Sequence, residues 1–254
     1  MPDASSTADA SAGHASYRRV LLKLSGEAFS KPGKFGIDPE ELHLIAGEIA
    51  SAAQQGVELA VVVGGGNIIR GASLAASGKF EQAVADNMGM LGTVINGLAL
   101  KEALEEAGQP ARVLSAINLS AVAETFIRGR ALRHLEKGRV VIFVAGTGNP
   151  FFTTDTAAAL RAREIGADAL LKATKVDGVY DKDPHKHDDA TRYERVGFDE
   201  AISKRLGVMD VAAFNLCREH QIPVVVFDMK QPGHISRVVR GEPLGTTVVP
   251  DPAD

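Results

Sequence analysis

The stretch Gly146-Thr147-Gly148-Asn149-Pro150-Phe151-Phe152-Thr153-Thr154-Asp155 gathers glycines, hydroxyls, an amide and one acid at a single junction. It follows the apolar run Val140-Val141-Ile142-Phe143-Val144 and leads into Ala157-Ala158-Ala159-Leu160-Arg161-Ala162. The first reads as a buried strand and the second as a helix. A helix N-terminus offers free backbone N–H groups and a positive dipole end, so this loop is expected to hold an anion such as a phosphate or a nucleotide. Capping is the plain alternative for Thr153, Thr154 or Asp155. It needs one of them, and leaves Asn149 and the exposed-looking pair Phe151 and Phe152 without a purpose.

Two more stretches have the same character. Lys23 interrupts an otherwise apolar strand, Arg18-Arg19-Val20-Leu21-Leu22-Lys23-Leu24. Snorkelling at a sheet edge would account for it. However, Ser25 and Gly26 follow at once and let backbone approach a ligand, which places the lysine well for a phosphate. Gly64, Gly65 and Gly66 end a second apolar run, Leu59-Ala60-Val61-Val62-Val63. Structural turns seldom need three glycines, and Arg70 follows where a guanidinium can fork onto phosphate oxygens. Neither common nucleotide motif is present. No Gly-x-x-x-x-Gly-Lys-Ser/Thr occurs, and Gly64-x-Gly66-x-x-Ile69 and Gly146-x-Gly148-x-x-Phe151 lack the third glycine of the dinucleotide fingerprint. A dehydrogenase is disfavoured.

Other residues say less by themselves. Asp86, in Asp86-Asn87-Met88-Gly89-Met90-Leu91-Gly92-Thr93, is either a solvated helix residue or an acceptor for a sugar hydroxyl. In the turn-rich segment Thr174 to Pro184, Tyr180 offers a flat face for a base and Asp183 a ribose partner; each is also an ordinary loop residue. His185-Lys186-His187 lacks a third His or Cys to close a metal site, so a solvated loop is expected. The single cysteine, Cys217, excludes a disulfide framework and reads as a buried filler on a helix face.

The elements that must position these groups alternate. Asp38 caps a helix whose first turn holds Pro39, Glu40 and Glu41 and which ends near Gly56. A long helix covers Phe80 to Leu104, and a short strand follows at Arg112 to Ala116. Further helices are expected at 156–166, 200–206 and 211–220. Strands are expected at Ala169 to Ala173 and Pro223 to Asp228, with an edge strand at Gly245 to Val249. Such alternation implies an α/β fold, a three-layer αβα sandwich around a mainly parallel open sheet, with ligand loops at the carboxyl ends of the strands. Residues 17–254 read as a single domain and 1–16 as a disordered tail.

At 254 residues, 45% hydrophobic and 24% charged, the chain is ordinary for a soluble globular protein. A net charge of -4 argues against a general nucleic-acid binder. No apolar run reaches membrane-spanning length, and the first residues lack the basic and apolar regions of a secretion signal. A cytoplasmic protein is expected.

Leu22-Lys23-Leu24-Ser25-Gly26, the triple glycine with Arg70, and Thr174-Lys175-Val176-Asp177-Gly178-Val179-Tyr180 with Asp183-Pro184 together resemble the amino-acid kinase superfamily. The Gly146–Asp155 and Asp86–Met90 stretches are similar to its bacterial UMP kinase branch. The resemblance implies transfer of the ATP γ-phosphoryl group to UMP with Mg²⁺, within pyrimidine nucleotide biosynthesis. It also implies a homohexamer, GTP as activator and UTP as inhibitor. By the same resemblance Lys23, Leu24, Ser25 and Gly26 meet the ATP phosphates, with Gly66, Arg70, Thr174, Tyr180 and Asp183 completing the ATP site. Gly65, Asp86, Thr147, Gly148, Asn149, Pro150, Phe151, Phe152, Thr153 and Thr154 meet UMP, and Asp155 orients Lys23. Lys31, Pro32, Gly33, Lys34, Phe35 and Gly36 fall where the family communicates with its GTP site. One departure stands out. Several relatives carry a second catalytic lysine after a Gly-Gly-Met turn, but Leu206-Gly207-Val208-Met209-Asp210-Val211 is followed by none. That leaves Arg70 and Mg²⁺ as candidates for the missing charge. It weakens a carboxylate or carbamate acceptor, as does the acid Asp86. A non-catalytic nucleotide sensor would not need Lys23 and Asp155 together.

Overall fold

The computed structural model describes residues 17–76, 78–184, 186–207 and 209–251. The tail at 1–16, His185 of the His-x-His pair and the last residues of the expected domain, 252–254, lie outside the described residues.

In chain order the elements are β1 Arg19–Leu24, α1 Pro39–Ala53, β2 Glu58–Val63, α2 Gly71–Ala76, α3 Gln82–Glu106, β3 Ala111–Ser115, β4 Glu124–Thr125 and α4 Arg128–Glu136. Then come β5 Val140–Val144, α5 Thr154–Ile165, β6 Ala169–Thr174, β7 Arg195–Gly197, α6 Phe198–Ser203, α7 Val211–Glu219, β8 Val224–Asp228, α8 His234–Val239 and β9 Thr246–Val249. A short 3₁₀ turn, Gly26–Phe29, follows β1. The strands form one nine-stranded sheet in the order β4-β3-β5-β2-β1-β6-β8-β9-β7. Every pairing is parallel except β8 with β9. The expected mainly parallel open sheet is therefore present. The expectation of an edge strand at the C-terminus is corrected: β9 lies between β8 and β7, and β7 forms the edge. Its three residues, Arg195–Gly197, are too few to give a readable alternation.

Side-chain alternation explains why the central strands are apolar throughout. Leu22, Leu24, Val61 and Val63 pack with Leu42, Ile49, Val94 and Leu100 from α1 and α3. Leu21, Val62 and Leu170 face the other way, against Ala158 and Ala162 of α5 and Phe214 of α7. Each large apolar side chain buried this way is worth about 1.5–3 kcal/mol. A lysine at such a position forfeits that gain and adds a desolvation cost. Lys23 in β1 and Lys172 in β6 are therefore expensive residues that need partners.

Helix starts follow their caps. The Asp38 carboxylate accepts from the backbone N–H of Glu40 at 3.0 Å and of Glu41 at 3.2 Å, with Pro39 opening α1. Thr153 caps α5 by accepting from Asp155 N and Thr156 N. Asp210 caps α7 by accepting from Ala213 N at 2.9 Å. Cys217 is buried on α7, and burial pushes its thiol up to about 12, consistent with an inert filler. No described helix is long and apolar enough to cross a membrane.

Candidate active site

Strand order creates the site. β5, β2, β1 and β6 are consecutive and parallel, so the segments after their carboxyl ends converge. Those segments begin with Ser25, Gly64, Ala145 and Lys175 and run into the stretches singled out by sequence.

Lys23 shares its face of β1 with Leu21 and so points toward the start of α5. There Lys23 Nζ lies 2.7 Å from Asp155 Oδ1, an ion pair without hydrogen-bond alignment. The other carboxylate oxygen, Oδ2, accepts from Lys172 Nζ at 2.6 Å. Lys172 is the register partner of Lys23 across the β1–β6 ladder. Asp155 sits in the first turn of α5, where the dipole also favours an anion. Burial would push its carboxyl up, but the ammoniums of Lys23 and then Lys172 hold it below the usual carboxylate range. Burial pushes Lys172 down, against the opposing pull of Asp155. Asp210 adds a second acid: its carboxylate accepts from the hydroxyls of Thr153 at 2.5 Å and Thr156 at 3.1 Å, tying the starts of α5 and α7 together.

The glycines are required by contact. A Cβ on Gly26 would sit 2.6 Å from Asn67 Oδ1 and 2.7 Å from Gly66 N, so the turns after β1 and β2 lie back to back. A Cβ on Gly65 would sit 2.6 Å from the carbonyl oxygen of Gly89 and 3.0 Å from Thr93 N, because α3 crosses directly over the loop. Thr93 then fixes the end of β5: its hydroxyl accepts from Ala145 N and donates to Met90 O, both at 2.7 Å. Buried amides knit the rest. Asn96 Nδ2 donates to Gly64 O and to Asn67 Oδ1, both at 2.7 Å, and Asn67 Nδ2 donates to Gly36 O at 2.9 Å.

A cavity of about 330 Å³ is lined by Gly65, Gly66, Arg70, Asp86, Thr147, Asn149, Phe152, Thr153 and Thr154, among others. The structure thus brings most of the expected UMP residues together. Asp86 also fixes the loop, since its Oδ2 accepts from Phe151 N at 2.8 Å. Ala145 and Phe151 hold positive φ values of 61° and 72°. Such left-handed conformations in non-glycine residues store strain of the kind found at functional sites. Gly148, Pro150 and Phe151 do not line this cavity. Gly148 instead faces Ala116, whose oxygen would be 3.1 Å from a Cβ there.

Thr174, Tyr180 and Asp183 line a second cavity of about 570 Å³, and Lys172 borders it. Leu24 is fully buried in the core, so only its backbone is open to a ligand, and Ser25 caps the 3₁₀ turn. Arg70 lines the smaller cavity and pairs with Glu27, whose other oxygen accepts from Lys175 at 2.7 Å. The Lys175 hydrogen bond, with Arg70 behind it, holds the Glu27 carboxyl below its ordinary value. Lys31, Gly33, Lys34 and Phe35 share a further cavity of about 260 Å³ with Arg70 and Glu27. Pro32 lines instead an apolar groove of about 360 Å³ beside α1. Sequence reasoning missed Lys172, Asp210, Glu27 and the Asn67–Asn96 pair as site residues.

Among the described residues no group of three or more His, Cys, Asp or Glu side chains could hold a metal ion. A cage made by the protein alone does not fit. A hard cation carried by substrate phosphates and water needs no such cage.

Comparison with known proteins gives a consistent picture. The model of the amino acid kinase family matches residues 18–228. A uridylate kinase of Xanthomonas oryzae pv. oryzae is 59% identical over 233 residues, covering 92% of this chain and 97% of that protein. One from Paramagnetospirillum magneticum is 58% identical over 240 residues, covering 94% and 100%. The crystal structure of a UMP kinase from Bacillus anthracis superposes with a TM-score of 0.90 at 40% identity, covering 93% of this chain and 98% of that one.

Proposed function

The chain belongs to the amino acid kinase family, and from that premise we propose that it transfers the γ-phosphoryl group of ATP to UMP, giving ADP and UDP. The chain is a phosphotransferase by its relatives; its acceptor and mechanism are argued from the site. The observation that carries the reading is the position of Asp155. It follows Thr154, which lines the smaller cavity, and it binds Lys172, which borders the larger one. A group handed from one cavity to the other would pass the Lys23–Asp155 pair.

ATP is assigned to the cavity of Thr174, Tyr180 and Asp183, and UMP to that of Gly65, Asp86 and Thr147 to Thr154. The phosphoryl group passes through a loose transition state, so positioning and charge neutralisation supply most of the catalysis. Lys23 meets the transferred group, the N-terminus of α5 and its hydroxyls hold the acceptor phosphate, and Asp155 orients Lys23. Arg70 would leave Glu27 for a phosphate oxygen, a stronger charge-assisted partner. Mg²⁺, when bound, offsets charge on the β- and γ-phosphates.

An exposed apolar stripe on α3, formed by Val84, Leu91 and Ile95, supports self-association and is in keeping with a homohexamer. The Lys31–Gly36 loop is bonded to Asn67 beside the triple glycine, and this supports activation by GTP through that loop; inhibition by UTP is carried over from the family resemblance. Work in the cytoplasm, as a step of pyrimidine nucleotide synthesis, follows from the proposed substrates. The test is ADP formation from Mg-ATP with UMP, CMP, dTMP, aspartate and glutamate as separate acceptors, each with and without GTP. Turnover with UMP alone, raised by GTP, is expected; turnover with an amino acid would overturn the acceptor.

A further inference from the structure

A second lysine stands beside Lys23. Lys172 reaches the reaction centre from β6, not from the segment after Leu206. It stands in register with Lys23, its side chain is 13% exposed, and it binds the same carboxylate at 2.6 Å. It also borders the larger cavity beside Thr174. Resting on the proposed ATP-to-UMP transfer, we infer that Lys172 is a catalytic residue, the second ammonium that meets the polyphosphate as the γ-phosphoryl group moves.

A merely structural lysine has little reason to be here. Two like charges opposite each other on adjacent strands destabilise a sheet, and an apolar residue at 172 would continue the core of β6. One carboxylate between two ammoniums leaves the cluster of Lys23, Lys172 and Asp155 with excess positive charge. Asp210 compensates from the start of α7, though its carboxylate is already engaged by Thr153 and Thr156. Such a cluster is poised for an anionic ligand. In the reaction an oxygen of the acceptor phosphate forms a bond to the γ-phosphorus, and the bond from that phosphorus to the β,γ-bridging oxygen breaks. ADP departs with the electron pair, and no proton need move. Charge builds on the bridging and equatorial oxygens. Two ammoniums fixed by one carboxylate meet that charge without reorganisation.

The test compares Lys172→Met and Lys172→Arg with the wild type for UDP formation from Mg-ATP and UMP, alongside thermal melting. Removing one preorganised donor costs about a hundred- to a thousandfold in kcat. That loss is expected for Lys172→Met, with both KM values changed far less, and at least about tenfold recovery is expected in Lys172→Arg because the charge returns. Should Lys172→Met fail to fold, Lys172→Gln carries the test, since its amide still donates to Asp155. Folded neutral variants with kcat within about threefold of wild type, a change too small for a lost charge-assisted donor, would overturn the inference. So would a loss that Arg does not relieve and that follows the melting temperature. No UDP from the wild type would sink the acceptor reading itself. UDP from wild type and Lys172→Met alike would sink the role of Lys172 alone.

Discussion

Lys23 and Lys172 stand opposite each other on neighbouring parallel strands, and a single carboxylate from another element, Asp155, holds both ammoniums within 2.7 Å. The arrangement ties β1, β6 and the start of α5 into one electrostatic unit.

Removing that carboxylate is costly. Asp155→Asn would leave two buried lysines facing each other without the carboxylate they share, and breaking a buried pair in this way costs about 3–5 kcal/mol. Urea unfolding should show a loss of that size. Phosphoryl transfer should fall by at least about a hundredfold, as for loss of a preorganised charge. An Asp155→Asn protein as stable as the wild type would contradict the ion-pair role.

The same pair sets an acid dependence. The folded-state value for Asp155 is held below its unfolded value of about 3.9. Its contribution to stability is therefore fully present above the unfolded value and is lost as pH falls through the folded one. The stability gap between wild type and Asp155→Asn, measured by denaturant titration, should be constant near neutrality and close below about pH 4. A gap that widens on acidification would refute the assignment.

Gly65 tests the loop. Gly65→Ala would drive a methyl group to 2.6 Å from Gly89 O, so α3 or the loop must shift. A destabilisation of about 1–3 kcal/mol is expected from overpacking, together with a raised KM for UMP. By contrast Gly66→Ala meets nothing within 4 Å and should leave stability nearly unchanged. Equal effects at the two positions would argue against the contact.

The α3 stripe bears on assembly. Paired Leu91→Asp and Ile95→Asp substitutions should lower the mass measured by light scattering without unfolding the chain, because both side chains are exposed in the single subunit. A wild type that is monomeric at micromolar concentration would remove the basis for the proposed hexamer.

Much of this was legible in the sequence, and the omissions have physical causes. The glycine loops, the caps at Asp38 and Thr153 and the odd lysine Lys23 are local signals, readable from neighbours along the chain. Lys172 gave a similar signal, a lysine inside the apolar run of β6, but its meaning depends on the β1–β6 register, which joins residues far apart in sequence. Asp210 immediately precedes the expected 211–220 helix and caps it; its hydroxyl partners Thr153 and Thr156 come from the start of a different helix. The amides of Asn67 and Asn96 matter through a contact that appears only once α3 lies over the triple glycine. Edge position, likewise, belongs to the sheet and not to the strand, which is why β9 was misread.

The most direct measurement is the fate of labelled γ-phosphate in a mixture of ATP, Mg²⁺ and UMP, compared between the wild type and Lys23→Ala. Label should appear on the β-phosphorus of UDP with the wild type and be nearly absent with Lys23→Ala. Label on an amino acid acceptor, label released only as inorganic phosphate, or undiminished transfer by Lys23→Ala would contradict the proposed reaction at this site.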